Sequence, residues 1–434
     1  MKTAYLVAGV RTPFAKSGTE LKAVHPVELG RFALTELLAR TGAGLSEIGG
    51  LLDEVIIGNT GTPSDSANIA RVIALRAGLP HALSAYTVHR NCASGLEALS
   101  QAALKVEAGV GDVYVAGGTE SMSQLPLIYN ANAVRFFESL QRARTLAERA
   151  QAFAKIPVKD FLAPRISIME GLTDPVCALN MGQTAEILAK EYKISREEQD
   201  RFALTSHQRA VAAAKTGVFR DEIATYSVPP KFEKTLAVDS GPRESQTMEQ
   251  LAKLKPYFDR KFGTVTVGNA CPITDGAAML LVASEEGLKK LGGVKPLAKI
   301  RAHAFAGLDP SRMGLGPVYA SAKVLKQSGL SMADMGVVEL NEAFAAQVLA
   351  CQRAFDSADF AKRELGLAKA IGAVDPAKLN PNGGAIAIGH PVGATGARIA
   401  LTAALEMQRK GLSHGLATLC IGGGQGGSVI LEAV

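Results

Sequence analysis

The two ends of the chain repeat one another. Residues 29–58 run from a helical pattern through G-L-S-E-I-G-G to an apolar run, and residues 318–341 repeat that order with G-L-S-M-A-D-M-G in the middle. Residues 93–118 and 394–424 also match, each with a helical pattern, a glycine break and an apolar run that ends in glycines. Such a repeat predicts a duplicated α/β fold with layered helices and sheets.

The apolar runs of both halves are short and are separated by amphipathic helical patterns. They predict buried, largely parallel strands, the first of them at residues 4–10. The chain has 434 residues, of which 47% are hydrophobic and 20% charged, so it can bury a sizeable core and is not disordered as its main state.

Residues 122–265 match neither half. They contain a basic stretch at 135–165, with seven Lys/Arg against three Asp/Glu, and a strongly helical segment at 182–215. Within that segment Ser195 and Glu198 form the pattern of a capping box at a helix start. We interpret 122–265 as an insertion that lies over the core.

Composition limits the partners and the compartment. The net charge of +6 is spread along the chain, tryptophan is absent and aromatic residues make up 5%, which weighs against nucleic acid and fits a small phosphate-bearing ligand.

Five widely spaced cysteines without a C-x-x-C pair predict a reducing compartment, without a disulfide framework or a metal site. No apolar run approaches the roughly 20 residues of a membrane span. No signal-peptide pattern begins the chain, so we expect a cytoplasmic location, with a processed organellar chain as the alternative.

Four residues stand in settings typical of reactive groups. Cys92 precedes a helical pattern, where the helix dipole and free N–H groups favour a thiolate, although a lone cysteine is usually a small buried residue. His390 lies in a glycine-rich loop, Cys420 ends an apolar run before three glycines, and Asn341 lies where an apolar run gives way to a helix. Taken singly, His390 fits a structural histidine, Cys420 is a weak signal and Asn341 fits a helix N-cap.

The combination is more specific than any one residue. Cys92 and Cys420 occupy related places in the two halves, as do the turns at 58–62 and 341–345. In a duplicated fold such places meet near the pseudo-twofold axis. Two thiols, an imidazole and an amide at one point supply a nucleophile, a base, a second acid or base and an orienting group.

In this order and spacing, the four motifs resemble the thiolase superfamily over essentially the whole chain, together with the segment G-N-A-C-P-I-T-D-G-A-A at 268–278. The similarity is greatest to the longer thiolases of fatty-acid β-oxidation, in particular the thiolase subunit of trifunctional-type complexes. The resemblance implies a layered αβαβα fold. It has an N-terminal half (1–121 with 266–295), an inserted loop domain for CoA and acyl binding (122–265) and a C-terminal half (296–434).

The resemblance also implies a reaction, the CoA-dependent cleavage of a 3-ketoacyl-CoA or its reverse. Cys92 would be the nucleophile, His390 the base that takes its proton, and Cys420 the acid or base at the acetyl-CoA α-carbon. Asn341 would hold a water that, with His390, stabilises the enolate oxygen. The N–H groups of Cys92 and Gly422 would hold the oxyanion of the acyl-enzyme. CoA is then a co-substrate, and neither a tightly bound cofactor nor a metal is expected.

The CoA contacts that the resemblance implies are Arg243 and Phe258 near the nucleotide, Met181, Ala343 and Phe344 along the pantetheine tunnel, and Cys271. Cys271 stands where many thiolases have a serine that bonds the pantetheine. Asn180 stands where short-chain biosynthetic thiolases often have a histidine, which favours degradative use with longer chains.

Three other functions stay open at this point. The substrate of the same reaction could be acetoacetyl-CoA, used in either direction. A decarboxylating ketoacyl synthase shares the fold, but its Cys-His-His site lacks an equivalent of Cys420. A non-catalytic CoA or lipid carrier often loses a catalytic residue, whereas all four are present here.

The family implies a homodimer or tetramer and suggests a hydratase/dehydrogenase subunit as a further partner. The basic stretch 135–165 then has three interpretations. It covers the core or a subunit interface, it docks that partner subunit, or it touches a membrane surface through its basic amphipathic character.

Overall fold

The structure is a computed structural model and describes residues 2–42 and 44–434. Met1 and Ala43, which fall in the predicted N-terminal half, lie outside the described residues. The strands are β1 (Tyr5–Arg11), β2 (Ala15–Lys16), β3 (Glu54–Gly58), β4 (Ser84–Val88), β5 (Val113–Ser121), β6 (Leu127–Ile128), β7 (Arg165–Ile166), β8 (Tyr226–Ser227), β9 (Thr235–Leu236), β10 (Thr274–Ala283), β11 (Ala298–Gly307), β12 (Val337–Leu340), β13 (His414–Ile421) and β14 (Gln425–Glu432).

The helices are α1 (Pro26–Ala39), α2 (Leu45–Leu51), α3 (Ile69–Arg76), α4 (Ser94–Glu107), α5 (Ala131–Arg142), α6 (Leu146–Ala154), α7 (Val158–Leu162), α8 (Ser167–Gly171), α9 (Met181–Glu191), α10 (Arg196–Lys215), α11 (Met248–Ala252), α12 (Glu285–Lys290), α13 (Gly316–Ser328), α14 (Ala345–Phe355), α15 (Ala358–Leu365), α16 (Ala385–Ile388) and α17 (Val392–Lys410). β1 confirms the first strand that the sequence predicted.

In the part of the chain that the structure describes, ten strands form one sheet that both halves share. Its order is β12, β13, β14, β11, β1, β10, β5, β3 and β4, and β2 pairs with one end of β10. The halves join through a short pairing of β1 with β11. Register irregularities flank this joint, between Leu6 and Ala8 in β1 and between Ile300 and Ala302 in β11. Because a bulge bends a strand, these positions allow the sheet to bend so that its N-terminal and C-terminal parts face each other.

Helices α4 and α17 lie between the two parts of the folded sheet. They share one apolar cluster with Leu280 of β10 on one side and Leu419 of β13 on the other. Strand residues alternate between faces, so Leu281 packs outward with α1 and α3, and Leu416 packs outward with α13 and α14. The layers are therefore helix, sheet, helix, sheet and helix, which confirms the predicted duplicated αβαβα fold.

The expectation of largely parallel strands is wrong. In the described residues, β3 pairs in parallel with β4 and β5, and β12 with β13, whereas the β1–β10, β1–β11, β5–β10, β11–β14 and β13–β14 pairs are antiparallel. A strand that is covered by helices on both faces is apolar along its whole length, whether its neighbours are parallel or antiparallel. The apolar runs in the sequence therefore do not distinguish parallel from antiparallel pairing. The glycine turn at 422–424, which joins β13 directly to β14, is the local signal for an antiparallel pair.

Residues 122–265 carry helices α5 to α11 and two small separate sheets, β6 with β7 and β8 with β9. Ser195 and Glu198 form the predicted capping box at the start of α10. The predicted domain boundaries stay predictions. No helix within residues 2–42 and 44–434 combines the length and apolar character that crossing a membrane requires.

Candidate active site

Cys92 lies in a tight turn between β4 and α4. Asn91 before it has a left-handed backbone with φ of 43°, a conformation that asparagine tolerates better than most side chains. The Ser94 hydroxyl closes the turn, because it accepts the Arg90 N–H at 2.9 Å and donates to the Asn91 carbonyl at 2.7 Å. As predicted, Cys92 therefore lies just before the first turn of a helix.

The Cys92 thiol is partly accessible, but the protein around it raises its pKa by desolvation. The backbone N–H groups of Gly422 and of Cys92 itself bond the sulfur and act in the opposite direction, while the nearby charge of Glu120 adds to the rise. The N–H groups at this terminus thus lower the pKa of Cys92 as expected, but burial outweighs them and leaves the pKa above its ordinary value. The thiol needs a base before it can act as a nucleophile.

His390 is buried in the loop between α16 and α17, where Thr274 Oγ1 accepts its backbone N–H at 3.1 Å. Its Nδ1 lies 2.7 Å from the hydroxyl of Thr395. That hydroxyl donates its one proton to the Pro391 carbonyl at 3.0 Å, so it accepts from His390, and the ring proton lies on Nδ1. Nε2 then carries a lone pair and has no partner among the described residues.

The His390 imidazole is neutral over the physiological pH range. Burial lowers its pKa to about 3, and the positive charge of Arg398 acts in the same direction. A neutral ring with its proton on Nδ1 can accept a proton on Nε2, which is what a general base for a thiol must do.

Cys420 ends β13 with its side chain on the outward face of the strand. It packs in an apolar cluster with Met181, Phe258, Ala343 and Phe344. These four are predicted CoA contacts, and the structure brings them together around the second thiol.

The thiols of Cys92, Cys271 and Cys420 lie close enough to influence one another. Burial, followed by charge on Cys92, Cys351 and Cys271, raises the pKa of Cys420 well above its ordinary value. Burial and charge on Cys92 raise the pKa of Cys271 to about 12. Both thiols are therefore protonated near neutral pH, and Cys420 can serve as a proton donor.

Asn341 follows β12 and does not cap a helix. The next helix, α14, begins only at Ala345, with Phe344 at its N-cap position. The Asn341 side chain is buried, and neither of its amide atoms has a partner among the described residues. The N-cap interpretation is therefore wrong. Leaving a buried amide unpaired costs roughly 1–3 kcal/mol, so this position is suited to hold a water or a substrate oxygen.

The two halves place their reactive residues differently from the prediction. Cys92 precedes α4 and His390 precedes α17, and these two helices occupy equivalent places in the repeat. Cys420 ends the strand after α17, so its counterpart lies near Glu120, at the end of the strand after α4. The predicted equivalence of Cys92 and Cys420 is wrong, because Cys92 lies at the start of a central helix whereas the Cys420 side chain lies on the outward face of β13.

Glu120 is a functional residue that sequence reasoning missed. Its buried carboxylate accepts hydrogen bonds from Asn59 Nδ2 at 3.1 Å and from the N–H groups of Thr60 at 3.0 Å, Gly61 at 2.9 Å and Gly393 at 3.0 Å. It thereby fixes the turn after β3 to the start of α17, next to the loop that carries the imidazole. The available signal was an acid at the glycine-rich end of an apolar run, G-G-T-E-S.

Arg243, the remaining predicted CoA contact, is not part of the apolar cluster. Its backbone N–H donates to Nδ1 of His207 at 3.2 Å, and its guanidinium donates to Gln246 at 3.3 Å. It therefore belongs to the loop packed on α10.

The structure thus has one thiol before α4, one neutral imidazole with a free Nε2 before α17, a second, protonated thiol whose charge interacts with the first, and one unpartnered amide after β12. A backbone N–H for Cys92 comes from Gly422, two residues after Cys420. These groups can form a covalent intermediate, move a proton and stabilise negative charge on an acyl oxygen.

Two family profiles match the chain, the thiolase N-terminal domain over residues 4–286 and the thiolase C-terminal domain over residues 294–433. A 3-ketoacyl-CoA thiolase of Yersinia enterocolitica is 41% identical over 428 residues, covering 98% of this chain and 96% of that protein. A 3-ketoacyl-CoA thiolase of Pectobacterium atrosepticum is 41% identical over 427 residues, with 98% and 95% coverage.

Solved structures match over the full length. The acetyl-CoA acetyltransferase of Bacillus anthracis superposes with a TM-score of 0.85 at 38% identity, covering 100% of this chain and 99% of that one. Human mitochondrial 3-ketoacyl-CoA thiolase in complex with CoA superposes with a TM-score of 0.85 at 37% identity, covering 100% and 98%. On its sequence and its layered fold, the chain belongs to the thiolase family.

Proposed function

We propose that the chain is an acyltransferase that cleaves a 3-ketoacyl-CoA with CoA into acetyl-CoA and a shortened acyl-CoA, as in fatty-acid β-oxidation. The observation that carries the proposal is a pair of thiols, Cys92 and Cys420, that lie close enough to interact, together with a neutral imidazole whose Nε2 is free at the start of α17, the helix that packs with α4. One thiol must bond covalently while the other moves a proton at carbon. The name and identity of the relatives support this substrate class.

The first step is activation of Cys92. His390 Nε2 takes the thiol proton, and the thiolate forms a bond to the 3-keto carbon. The bond between that carbon and the α-carbon then breaks, and its electron pair leaves on acetyl-CoA as an enolate. Burial disfavours a resting thiolate at Cys92, so proton transfer accompanies attack.

The second step is protonation of the enolate. Cys420, kept protonated by burial, gives its proton to the α-carbon and becomes a thiolate. The new N–H on His390 Nε2 and a water held by the free amide of Asn341 stabilise the enolate oxygen.

The third step transfers the acyl group to CoA. The N–H groups of Cys92 and Gly422 hold the thioester oxygen as the CoA sulfur attacks. The CoA thiol proton passes to Cys420, and His390 returns its proton to the departing Cys92 sulfur, so the enzyme regains its starting protonation.

CoA binding involves the apolar cluster around Cys420. Met181, Phe258, Ala343 and Phe344 supply an apolar wall for the pantetheine, and the Cys271 S–H supplies a donor beside it. Arg243 supplies positive charge for a phosphate from the loop packed on α10.

A homodimer or tetramer is the assembly that we propose. β4 lies at one end of the large sheet, in the part of the chain that the structure describes. An edge strand has unpaired N–H and C=O groups, so a second copy can pair with it. The five cysteines are all unpaired, which fits the reducing conditions of the cytoplasm.

A hydratase/dehydrogenase subunit remains a further proposed partner, with the segment 132–165 as its docking surface. The exposed large apolar side chains there are Val134, Phe137, Leu146, Phe153, Ile156, Val158 and Leu162. In α5 only Ala133 and Phe136 are buried, and no residue of α6 is. If deleting 132–165 from a folded protein changes neither partner pull-down nor co-sedimentation with vesicles, this proposal is withdrawn.

The function is tested by CoA-dependent thiolysis of 3-ketoacyl-CoAs from four to sixteen carbons, with Cys92→Ala as the control. We expect wild-type turnover that rises with chain length and no turnover in the variant. Activity confined to the four-carbon substrate would assign the chain to acetoacetyl-CoA metabolism instead. Absence of activity with every substrate would favour a non-catalytic CoA or lipid carrier.

A further inference from the structure

The residue before the nucleophile reaches across to the other half of the molecule. Asn91 Nδ2 donates to the Gly422 carbonyl at 2.7 Å, and Asn91 Oδ1 lies 3.0 Å from His89 Nε2. Asn91 therefore joins the turn that carries Cys92 to the turn that supplies an N–H to the Cys92 sulfur.

A second side chain of the same segment makes a parallel connection. Arg90 donates to Gln425 Oε1 at 3.1 Å, and its guanidinium lies 4.2 Å from the centre of the Phe305 ring. Its Nε is held by Glu97 at 2.7 Å, within α4. Two adjacent residues of the N-terminal half thus contact the β13–β14 turn of the C-terminal half.

The turn that they contact has little rigidity of its own. Gly422, Gly423 and Gly424 are consecutive, and the last two have left-handed φ angles of 89° and 74°. Glycine has the greatest backbone freedom of any residue, so the direction of the Gly422 N–H is poorly fixed by the turn alone. The Gly424 carbonyl is held by the Leu308 N–H at 2.8 Å, and the Gly422 carbonyl is held by Asn91.

We propose that Asn91 is a positioning residue that aims the Gly422 N–H at the Cys92 sulfur and at the acyl oxygen bonded to it. Arg90 contacts Gln425, the residue that follows the same turn. The left-handed backbone of Asn91 allows the short amide to reach Gly422 from the position next to the nucleophile. This inference rests on the proposed function for its effect on turnover, whereas its effect on the Cys92 thiol follows from the hydrogen bond between Asn91, the residue next to Cys92, and Gly422.

Two substitutions separate the hydrogen bond from the backbone conformation. Asn91→Gly tolerates the left-handed φ and removes the amide. Asn91→Asp keeps the shape and the acceptor but replaces the donor Nδ2 with an oxygen. Lys193→Gly is the matched control, because Lys193 is exposed, also has a left-handed φ of 51°, and lies at the far end of α9.

Turnover of a 3-ketoacyl-CoA is the first measurement. We expect both Asn91 variants to lose about tenfold to a hundredfold in kcat with little change in KM, since one misdirected oxyanion donor has an effect of this size. The control should keep the wild-type kcat, and thermal unfolding midpoints should show that all variants are folded. A wild-type kcat in Asn91→Asp would overturn the proposal, because that variant lacks the donor.

The pH dependence of Cys92 alkylation by iodoacetamide, followed on its tryptic peptide, is the second measurement. Losing the Gly422 N–H should shift the Cys92 profile of Asn91→Gly upward by roughly half to one pH unit, and that of Lys193→Gly not at all. An unshifted Asn91→Gly profile would also overturn the proposal. Alkylation of Cys92 can be measured without turnover. A wild type that fails to cleave 3-ketoacyl-CoA would therefore contradict the proposed function, but the alkylation profiles would still test the role of Asn91.

Discussion

The position of a single proton at the active site follows from a threonine five residues along the chain. Because Thr395 donates to the Pro391 carbonyl, it can only accept from His390 Nδ1, and this leaves Nε2 free to take a proton. The sequence identified the histidine through its glycine-rich loop. The role of Thr395 could not be predicted from the sequence. Threonine is common in the first turn of a helix, and only the folded structure shows that its hydroxyl faces the His390 ring.

Replacing Thr395 with valine should slow turnover while preserving the packing. The substitution keeps the volume but removes the acceptor for Nδ1–H, so the ring can adopt the tautomer that places its proton on Nε2. We expect kcat to fall by about tenfold to a hundredfold, less than the loss of a full triad carboxylate. Steady-state kinetics would measure this, with Thr395→Ser as the control that retains the hydroxyl. Equal kcat in wild type and Thr395→Val would contradict the assigned tautomer.

The other residues of the site also differ in whether the sequence alone could identify them. Cys92, His390, Cys420 and Asn341 were identified through the family motif around each of them, and their catalytic roles stay predictions. The interpretation of Asn341 as an N-cap failed because three residues separate it from Ala345, where the helix begins. The length of that loop is set by tertiary packing and cannot be inferred from the local sequence.

At the scale of secondary-structure elements, the repeat predicted the layers but not the strand directions. The spacing of apolar residues in the sequence indicates which faces of a helix or strand are buried. A strand buried on both faces shows the same pattern with parallel and with antiparallel neighbours, so its direction cannot be inferred. Direction depends on connections such as the long segment from β5 to β10, which allows these strands to pair antiparallel along their whole length. The local sequence of such an insertion does not show where it returns the chain to the sheet.

The inserted region is fixed to the first strand by a buried ion pair network. Arg11 of β1 is fully buried, with Nε 2.9 Å from Glu222 and Nη1 2.6 Å from Asp239. Asp239 also accepts the N–H of Phe14 at 2.7 Å. Charges this deeply buried hold a fixed geometry but are costly when one partner is removed.

Arg11→Met should therefore be strongly destabilising. It leaves two buried carboxylates without their shared cation, and we expect a loss of about 3–5 kcal/mol in the free energy of unfolding. Arg201→Met is the control, since Arg201 pairs with Glu197 where both side chains are 70% exposed. The loss in the free energy of unfolding caused by Arg201→Met should stay below about 1 kcal/mol. Urea unfolding of both variants would test this, and similar losses in the two would contradict the structural role of Arg11.

At the scale of the whole molecule, buried neutral histidines make stability depend on pH. Burial, with the charge of Arg243, lowers the pKa of His207 to about 4, against an ordinary value of 6.5. The unfolded chain therefore takes up this proton below pH 6.5, while the folded chain does so only near pH 4. The contribution to stability is complete above pH 6.5 and is lost as the pH falls toward 4.

His207→Gln should reduce this acid sensitivity. Between pH 7 and pH 4.5 the wild type should lose about 1–3 kcal/mol more than the variant in the free energy of unfolding. Urea unfolding of both proteins across this range measures the difference. Parallel pH profiles would mean that His207 is protonated in the folded state, which contradicts its burial.

The two thiols have separate tasks in this mechanism, since Cys92 bonds the acyl group and Cys420 moves the proton at carbon. Mass spectrometry of Cys420→Ala and Cys92→Ala after incubation with an acyl-CoA, together with an assay of 3-ketoacyl-CoA cleavage, separates these tasks. We expect Cys420→Ala to gain one acyl group on the peptide containing Cys92 without cleaving the carbon–carbon bond, and Cys92→Ala to gain none. Near-normal cleavage by Cys420→Ala, or an acyl group on another residue, would contradict this mechanism.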